Sequence, residues 1–262
     1  MTTTGEMLQA VPQSARARDG KMPDLSIVIP AYNEEVRLPA SLGAVSAYLN
    51  GRGSPIAADV IVVDDGSSDA TADRARDAGR RHGLDLNVIR LPRNRGKGFA
   101  VRTGALAARG ELVLVSDADF STPIYEWEKL RAAGAPVAIG SRALDESLVK
   151  ERQPYLRQAM GKLFNRLVQL LLVPGIRDTQ CGFKLFSREA AWEIFSRAAI
   201  DRFAYDVEAL LLARRLGYAI AEVPVLWFNS PDTRVSLWGG AQAYWDLLRI
   251  RLRTAKVPGK KT

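Results

Sequence analysis

From residue 25 the chain alternates between short apolar runs and longer stretches with helical periodicity. Leu25–Pro30, Asp59–Asp64, Leu86–Leu91, Leu112–Ser116 and Pro136–Gly140 read as strands. Between them the pattern predicts helices over Glu34–Leu49, ended near Asn50-Gly51, over Asp69–His82 with Ser68 or Asp69 as N-cap, and over Gly98–Arg109. Strand and helix alternating at this spacing predict an α/β fold with a parallel, doubly wound sheet.

The second half is patterned differently. Tyr155–Val173 is a long amphipathic helix with Arg157, Lys162 and Arg166 among Leu and Phe. A polar loop follows at Gly175–Gly182, then a strand at Phe183–Phe186, helices at Glu189–Ser196 and Asp206–Leu216, and a strand at Ala219–Phe228. A last amphipathic helix is expected over about Gly240–Arg253. The expected division is a polar tail over residues 1–22, a main domain over 23–235 and a C-terminal helix with basic tail over 236–262.

Three of the strands end in polar clusters: Pro30-Ala31-Tyr32-Asn33-Glu34-Glu35, Asp64-Asp65-Gly66-Ser67-Ser68-Asp69 and Ser116-Asp117-Ala118-Asp119. In a parallel sheet all three ends lie on one edge, where open α/β sheets bind ligands. Two carboxylates one residue apart after a buried strand supply hard oxygen ligands, which suit Mg²⁺ or Mn²⁺ and through it a diphosphate. A solvated turn or a helix cap would explain Asp117 and Asp119 equally well in isolation. Asp64 and Asp65 are placed to bind a base edge or ribose hydroxyls, or to shape the turn at Gly66 and cap the next helix. In Arg93-Asn94-Arg95-Gly96-Lys97-Gly98, two glycines flanking a lysine before a helix let backbone N–H groups approach a phosphate, with Lys97 adding charge. The spacing is not that of a P-loop, and a basic solvated loop is the other reading.

Composition narrows the partners. A net charge of +8 points to an anionic partner, and much of the excess sits at Arg249, Arg251, Arg253, Lys256, Lys260 and Lys261. Aromatic residues do not alternate with basic ones on any strand, and acidic clusters line the expected cleft, which argues against nucleic acid as a partner. The single cysteine, Cys181, excludes an intramolecular disulfide and fits a reducing compartment. No apolar run reaches the ~20 residues that span a bilayer, and the N-terminus carries no apolar signal core.

These motifs together resemble the family 2 inverting glycosyltransferases of the GT-A fold, and among them the dolichyl- and polyprenyl-phosphate β-glucosyltransferases. The resemblance runs through residues 26–35, 63–69, 94–98, 117–119, 140–142, 175–186 and 205–208, and covers roughly residues 24–253. The stretch Arg177-Asp178-Thr179-Gln180-Cys181-Gly182-Phe183-Lys184 is its most specific part. The resemblance implies that Pro30, Tyr32, Glu34 and Asp65 hold the uridine of a UDP-sugar, that Lys97 sits near the nucleotide, that Ala31 and Asp64 belong to the same substrate-binding set, and that Lys97 or Arg93 neutralises the charge on the leaving diphosphate. Asp117 and Ala118 would contact ribose or sugar, and Asp119, with Asp117, would ligate Mg²⁺ or Mn²⁺. Asp206 falls where relatives place a catalytic carboxylate. Related mannosyl-phosphate synthases look to have glutamine there, so the resemblance tilts the expected donor toward UDP-glucose over GDP-mannose. A polyprenyl phosphate acceptor, already an anion, needs positive charge to position it, and Arg142, Arg152, Arg157 and Arg234 are the candidates, with Ser141, Asp178 and Gln180 in the same motifs. If the acceptor were a sugar hydroxyl, Asp206 would act as base.

The resemblance implies an N-terminal membrane anchor in the eukaryotic enzymes, and the expectation for this chain is a polar tail there instead of an anchor. Tyr155–Val173 and Trp238–Arg253, the latter with Tyr244 and Trp245, have the make-up of interfacial helices, although ordinary packing helices with basic faces share it. The expected location is the cytoplasmic face of a membrane, peripherally bound.

Overall fold

The computed structural model describes residues 22–51, 56–150, 155–229 and 237–255. The expected polar tail, apart from Met22, and Lys256, Lys260 and Lys261 of the basic terminus lie outside these residues.

Seven strands form one sheet in the order β3-β2-β1-β4-β6-β5-β7: β1 Leu25–Ala31, β2 Ala58–Asp64, β3 Leu86–Arg90, β4 Leu112–Val115, β5 Val137–Ser141, β6 Lys184–Ser187 and β7 Ile220–Pro224. All pairings are parallel except those of β6, which runs antiparallel to both β4 and β5. The inner strands are apolar on both faces because helices cover both. Ile27 and Ile29 of β1 point into one core and Val28 into the other.

Helices α1 (Leu38–Asn50), α2 (Thr71–His82) and α4 (Trp127–Ala132) close the first core through Leu38, Leu42, Val45, Ala75, Ala78, Trp127 and Leu130. On the other face lie α3 (Lys97–Ala107), α5 (Tyr155–Leu171), α6 (Arg188–Arg197), α7 (Tyr205–Arg215) and α8 (Leu237–Thr254). The α8 segment, expected as a separate C-terminal unit, drives Leu247 and Ile250 into this same core against α7.

Among the boundaries that differ from the sequence reading, three have a local reason, and the short helix α4 is not among the expected elements at all. Helix α1 starts at Leu38 instead of Glu34, because the amides of Asn33 and Glu34 are taken by Ser67 Oγ at 2.8 Å and Thr71 Oγ1 at 2.7 Å. Asn33 sits at φ 54°, outside helical geometry. Helix α2 has Ala70, not Ser68 or Asp69, at its N-cap. Asp69 Oδ1 still accepts the Thr71 amide at 3.0 Å, acting one residue upstream of the cap. The last strand stops at Pro224, and residues beyond it turn to pair with the segment after β5, where the Trp227 amide donates to Leu148 O at 3.0 Å.

Candidate active site

Register places the polar strand ends together. Ala31 is level with Asp64, and Val28 with Val115, so β1, β2 and β4 release Tyr32, Asp65 and Asp117 along one edge of the sheet. The loops after β1 and β2 are laced to each other. Ser68 N donates to Asn33 Oδ1 at 2.9 Å, and Ala70 N to Glu35 Oε2 at 3.0 Å. Glu34 belongs to this lattice: it is buried, and Arg37 Nε donates to its carboxylate at 2.7 Å. Pro30 and Ala31 are buried beneath the edge, while Tyr32 stands 40 % exposed above it.

The two acids after β2 divide their work. Asp65 accepts from Arg95 N and Gly96 N, both at 2.8 Å, and so fixes the loop that leads into α3. Burial pushes its carboxyl above the ordinary value despite these two bonds. Asp64 Oδ1 takes the Ser67 amide at 2.9 Å. Its Oδ2 is buried without a hydrogen bond, 3.4 Å from Arg90 Nε, beside a cleft of about 340 Å³ lined by Gly66, Ser67, Arg90, Leu91 and Pro92.

The Arg93–Gly98 segment delivers Lys97 to the edge but does not open its glycines to a ligand. A Cβ on Gly98 would strike Ile200 O, and one on Gly96 would strike Asp201 O, so both positions make room for the α6–α7 loop. Lys97 Nζ instead reaches forward to Asp117 Oδ1. Burial works against the charge on Lys97, but Asp117, Asp206 and Asp119 around it hold its pKa above the ordinary value. Burial likewise opposes ionisation of Asp117, and Lys97, Lys184 and Arg142 outweigh it, so its carboxyl lies below the usual range. Asp117 is held from behind by the backbone of Gly182, where any side chain would overlap its carboxylate.

A second ion pair lies deeper. Lys184, 1 % exposed, donates to Asp206 Oδ1 and to Cys181 O. Asp206, 4 % exposed, opens α7. Burial raises its carboxyl pKa, with Lys184 and Lys97 pulling the other way. The two pairs form one alternating group, with Tyr205 packed beside them and Lys97 5.9 Å from its ring centre. Lys184 is not among the residues that the sequence singles out as functional. A lysine opening an apolar strand would sit at the far edge of a uniformly parallel sheet. The reversal of β6 brings it opposite Val115, two residues before Asp117.

The third wall comes from β5 and the Arg177–Gly182 loop. Arg142 grips Asp178 through Nε at 2.7 Å and Nη2 at 2.9 Å, and its ring neighbour is Trp227 at 5.5 Å. Burial opposes ionisation of Asp178, but Arg142 holds its carboxyl below the usual range. Glu222 of β7 anchors this wall, accepting from Ser141 Oγ at 2.7 Å, Asp178 N at 2.7 Å and Arg177 N at 2.9 Å. In the sequence Glu222 reads as an ordinary strand residue, with no signal of this role. Gln180 is partly exposed, with its amide on Asp178 Oδ1 at 3.2 Å. Cys181 is buried, and burial pushes its thiol up to about 11, which leaves it a packing residue. Arg93 is exposed and lines a different pocket on the outer side of its loop. Arg152 and Arg234 lie outside the described residues, as does the side chain of Arg157.

The expected Mg²⁺ or Mn²⁺ can be tested against the donors present. Asp117 and Asp119 flank the buried Ala118, and the turn after them carries Phe120 at φ 45°, a strained value for that residue. Asp119 is partly exposed and uses Oδ1 on the Ser121 amide at 3.0 Å. Among the described residues no group of three carboxylate, histidine or cysteine side chains could cage an ion. One or two carboxylates with the remaining positions left to phosphate oxygens and water is how Mg²⁺ is commonly held, so the donors fit a cation completed by a diphosphate.

The edge of the sheet thus gathers acids for a cation and cations for an anion on a doubly covered α/β core, and with the matches below it defines a glycosyltransferase of GT-A architecture. The chain belongs to glycosyl transferase family 2, whose sequence profile matches residues 26–195. It is 43 % identical to the dolichyl-phosphate beta-glucosyltransferase of Mus musculus over 90 % of this chain and 77 % of that protein. It is 33 % identical to the enzyme of that name from Saccharomyces cerevisiae over 88 % and 75 %. Among solved structures, glucosyl-3-phosphoglycerate synthase from Mycobacterium tuberculosis in complex with Mn²⁺, UDP and phosphoglyceric acid superposes with a TM-score of 0.66 at 20 % identity, covering 98 % of this chain and 84 % of that one. Mannosyl-3-phosphoglycerate synthase from Rubrobacter xylanophilus gives 0.62 at 18 % identity, covering 89 % and 74 %.

Proposed function

We propose that the chain transfers glucose from UDP-glucose to a polyprenyl phosphate of the dolichyl type, with inversion, giving a β-linked lipid phosphate sugar. The observation that carries this reading is the alternating group Lys97–Asp117 and Lys184–Asp206 on the edge shared by β1, β2 and β4. The names of relatives matched over most of the chain support the particular substrates.

In this reading the nucleoside lies over Tyr32, Asp64 and Asp65, and the diphosphate faces Lys97. Asp119 and Asp117 would hold Mg²⁺ or Mn²⁺, which neutralises diphosphate charge when bound. The M. tuberculosis synthase, a protein of the same fold, was crystallised with Mn²⁺ and UDP together. Lys97, kept protonated by the acids around it, meets the charge that builds on the departing diphosphate. The acceptor phosphate is an anion at neutral pH and attacks the anomeric carbon without a base. Arg142 retains Nη1 for it while Nε and Nη2 stay on Asp178. Lys184 fixes Asp206 beside the sugar.

One observation favours a second reading. A carboxyl raised by burial, as at Asp206, suits a general base, and a base is what a hydroxyl acceptor would need. With a lipid acceptor the enzyme works at a membrane surface, on its cytoplasmic side, where α8 offers the exposed apolar residues Trp245, Leu248 and Leu252 beside Arg249, Arg251 and Arg253. The side chains of Trp238 and Tyr244 lie outside the described residues, and no described helix is long and apolar enough to cross a membrane.

The test is a product assay with a short polyprenyl phosphate, Mg²⁺ or Mn²⁺, and labelled UDP-glucose, GDP-mannose or UDP-GlcNAc. Organic-extractable label from UDP-glucose alone, lost in Asp119→Ala, is expected. Label from GDP-mannose overturns the donor, and UDP release without lipid product overturns the acceptor.

A further inference from the structure

Behind the loop that carries Lys97 lies a pocket of about 380 Å³ whose lining includes none of Lys97, Asp117, Lys184 and Asp206. It is built from three separate parts of the chain: Arg93 and Arg95 on the β3–α3 loop, Asp201 and Arg202 on the α6–α7 loop, and Asp246 and Arg249 on α8. Four guanidinium groups thus face two carboxylates. Asp201 is already shared, lying 3.4 Å from Arg95 Nη2 and 2.8 Å from Arg102 Nη2. Asp246 is 8 % exposed and lies near Arg249 and Arg202, so it offsets only part of the charge that the four arginines bring. Among the described residues no carboxylate comes within ion-pair distance of Arg93, Arg202 or Arg249. Three arginines brought together from distant segments, with no such partner among the described residues and around a cavity, call for a multivalent anion to neutralise them. Guanidinium groups recognise phosphate oxygens in pairs.

We propose that this pocket is a phosphate-binding site separate from the catalytic edge. Its ligand is a phosphate ester or free phosphate held by Arg93, Arg202 and Arg249. One source is the headgroup of an anionic phospholipid. Arg249 shares the exposed face of α8 with Trp245, Leu248 and Leu252, spaced as one helical stripe, so a phosphate in the pocket would sit at the depth of a headgroup when those side chains enter the interface. The other source is phosphate in solution.

The experiment uses the full chain and its Arg202→Ala and Arg249→Ala variants, with Arg76→Ala as a charge-matched control. Arg76 is paired with Asp73 on the surface of α2. Inorganic phosphate is titrated by calorimetry, and vesicles of phosphatidylcholine with and without phosphatidylglycerol are used for co-sedimentation. Phosphate affinity should fall about tenfold in each pocket variant, as expected for one lost charge-assisted contact, and stay at the wild-type value in Arg76→Ala. If binding to the anionic vesicles falls in parallel and free phosphate competes for it, the ligand is a headgroup. If vesicle binding is equal in all variants while phosphate binding is lost, the ligand is soluble. Pocket variants indistinguishable from Arg76→Ala in both arms overturn the proposal.

Discussion

Removing one member of the buried Lys184–Asp206 pair should do more damage than removing both. Both residues are almost wholly inaccessible, at 1 % and 4 % exposure, so Lys184→Met leaves the Asp206 carboxylate buried without its main partner. Breaking such a pair costs roughly 3–5 kcal/mol. At roughly 2–4 °C per kcal/mol for a domain of this size, the melting temperature should drop by roughly 6–20 °C. The pH dependence has a definite sign. Burial already raises the Asp206 carboxyl above its ordinary 3.8, and losing Lys184 raises it further. The folded state then holds a proton that the unfolded chain releases. Relative stability is therefore greatest below 3.8 and is lost as pH rises through the folded value. Thermal and urea melts of the wild type, Lys184→Met, Asp206→Asn and the double variant at acidic and neutral pH read this directly. The double variant, with no stranded charge, should recover about 2 kcal/mol or more of the loss. A single variant within about 1 kcal/mol of wild type at neutral pH, or losses that simply add, would refute the reasoning.

Three further outcomes follow from the same site. Gly182→Ala puts a methyl group against the Asp117 carboxylate, so turnover should fall about a hundredfold from misplacement of the Lys97–Asp117 pair. Its stability should change by only about 1 kcal/mol, because Asp117 is partly exposed and can shift; comparable losses in both would mean simple unfolding. Arg142→Lys cannot hold Asp178 and a phosphate together, so the KM for polyprenyl phosphate should rise about tenfold with the KM for UDP-glucose unchanged; a donor effect of equal size would place Arg142 at the other substrate. Asp206 must be ionised to pair with Lys184, and burial raises its carboxyl pKa, so wild-type turnover should decline on acidification before ordinary carboxylates protonate. Asp206→Asn should be slow at all pH values and lack that limb, and a limb that persists belongs to another group.

Much of the fold is legible because each strand carries a signal of its own. The apolar runs of β1, β2 and β4 and their acidic ends are local, and a parallel sheet converts three local signals into one edge. The part of the candidate site legible from the residues is therefore Tyr32, Asp64, Asp65, Lys97, Asp117 and Asp119, with Arg142, Asp178 and Asp206 reached only through the resemblance. Lys184 and Glu222 are invisible because their positions depend on strand order and direction, which no short window encodes. Nothing in Phe183–Phe186 says that β6 runs against its neighbours, and the length of the α5 crossover does not say it either. The Gly96 and Gly98 positions carry a misleading signal. Glycine before a helix fits a phosphate cradle and fits close packing of a neighbouring backbone equally, and here the packing of Ile200 and Asp201 is what it serves.

The most direct test of the central claim, direct displacement at this edge by a lipid phosphate, is the stereochemistry of the product. UDP-glucose labelled at the anomeric carbon would be turned over with a short polyprenyl phosphate, and the extracted lipid read by NMR at that carbon. The account predicts a single β-linked glucosyl phosphate, formed by wild type and absent with Asp119→Ala. An α-linked product, or β-linked product formed undiminished by Asp119→Ala, would contradict it.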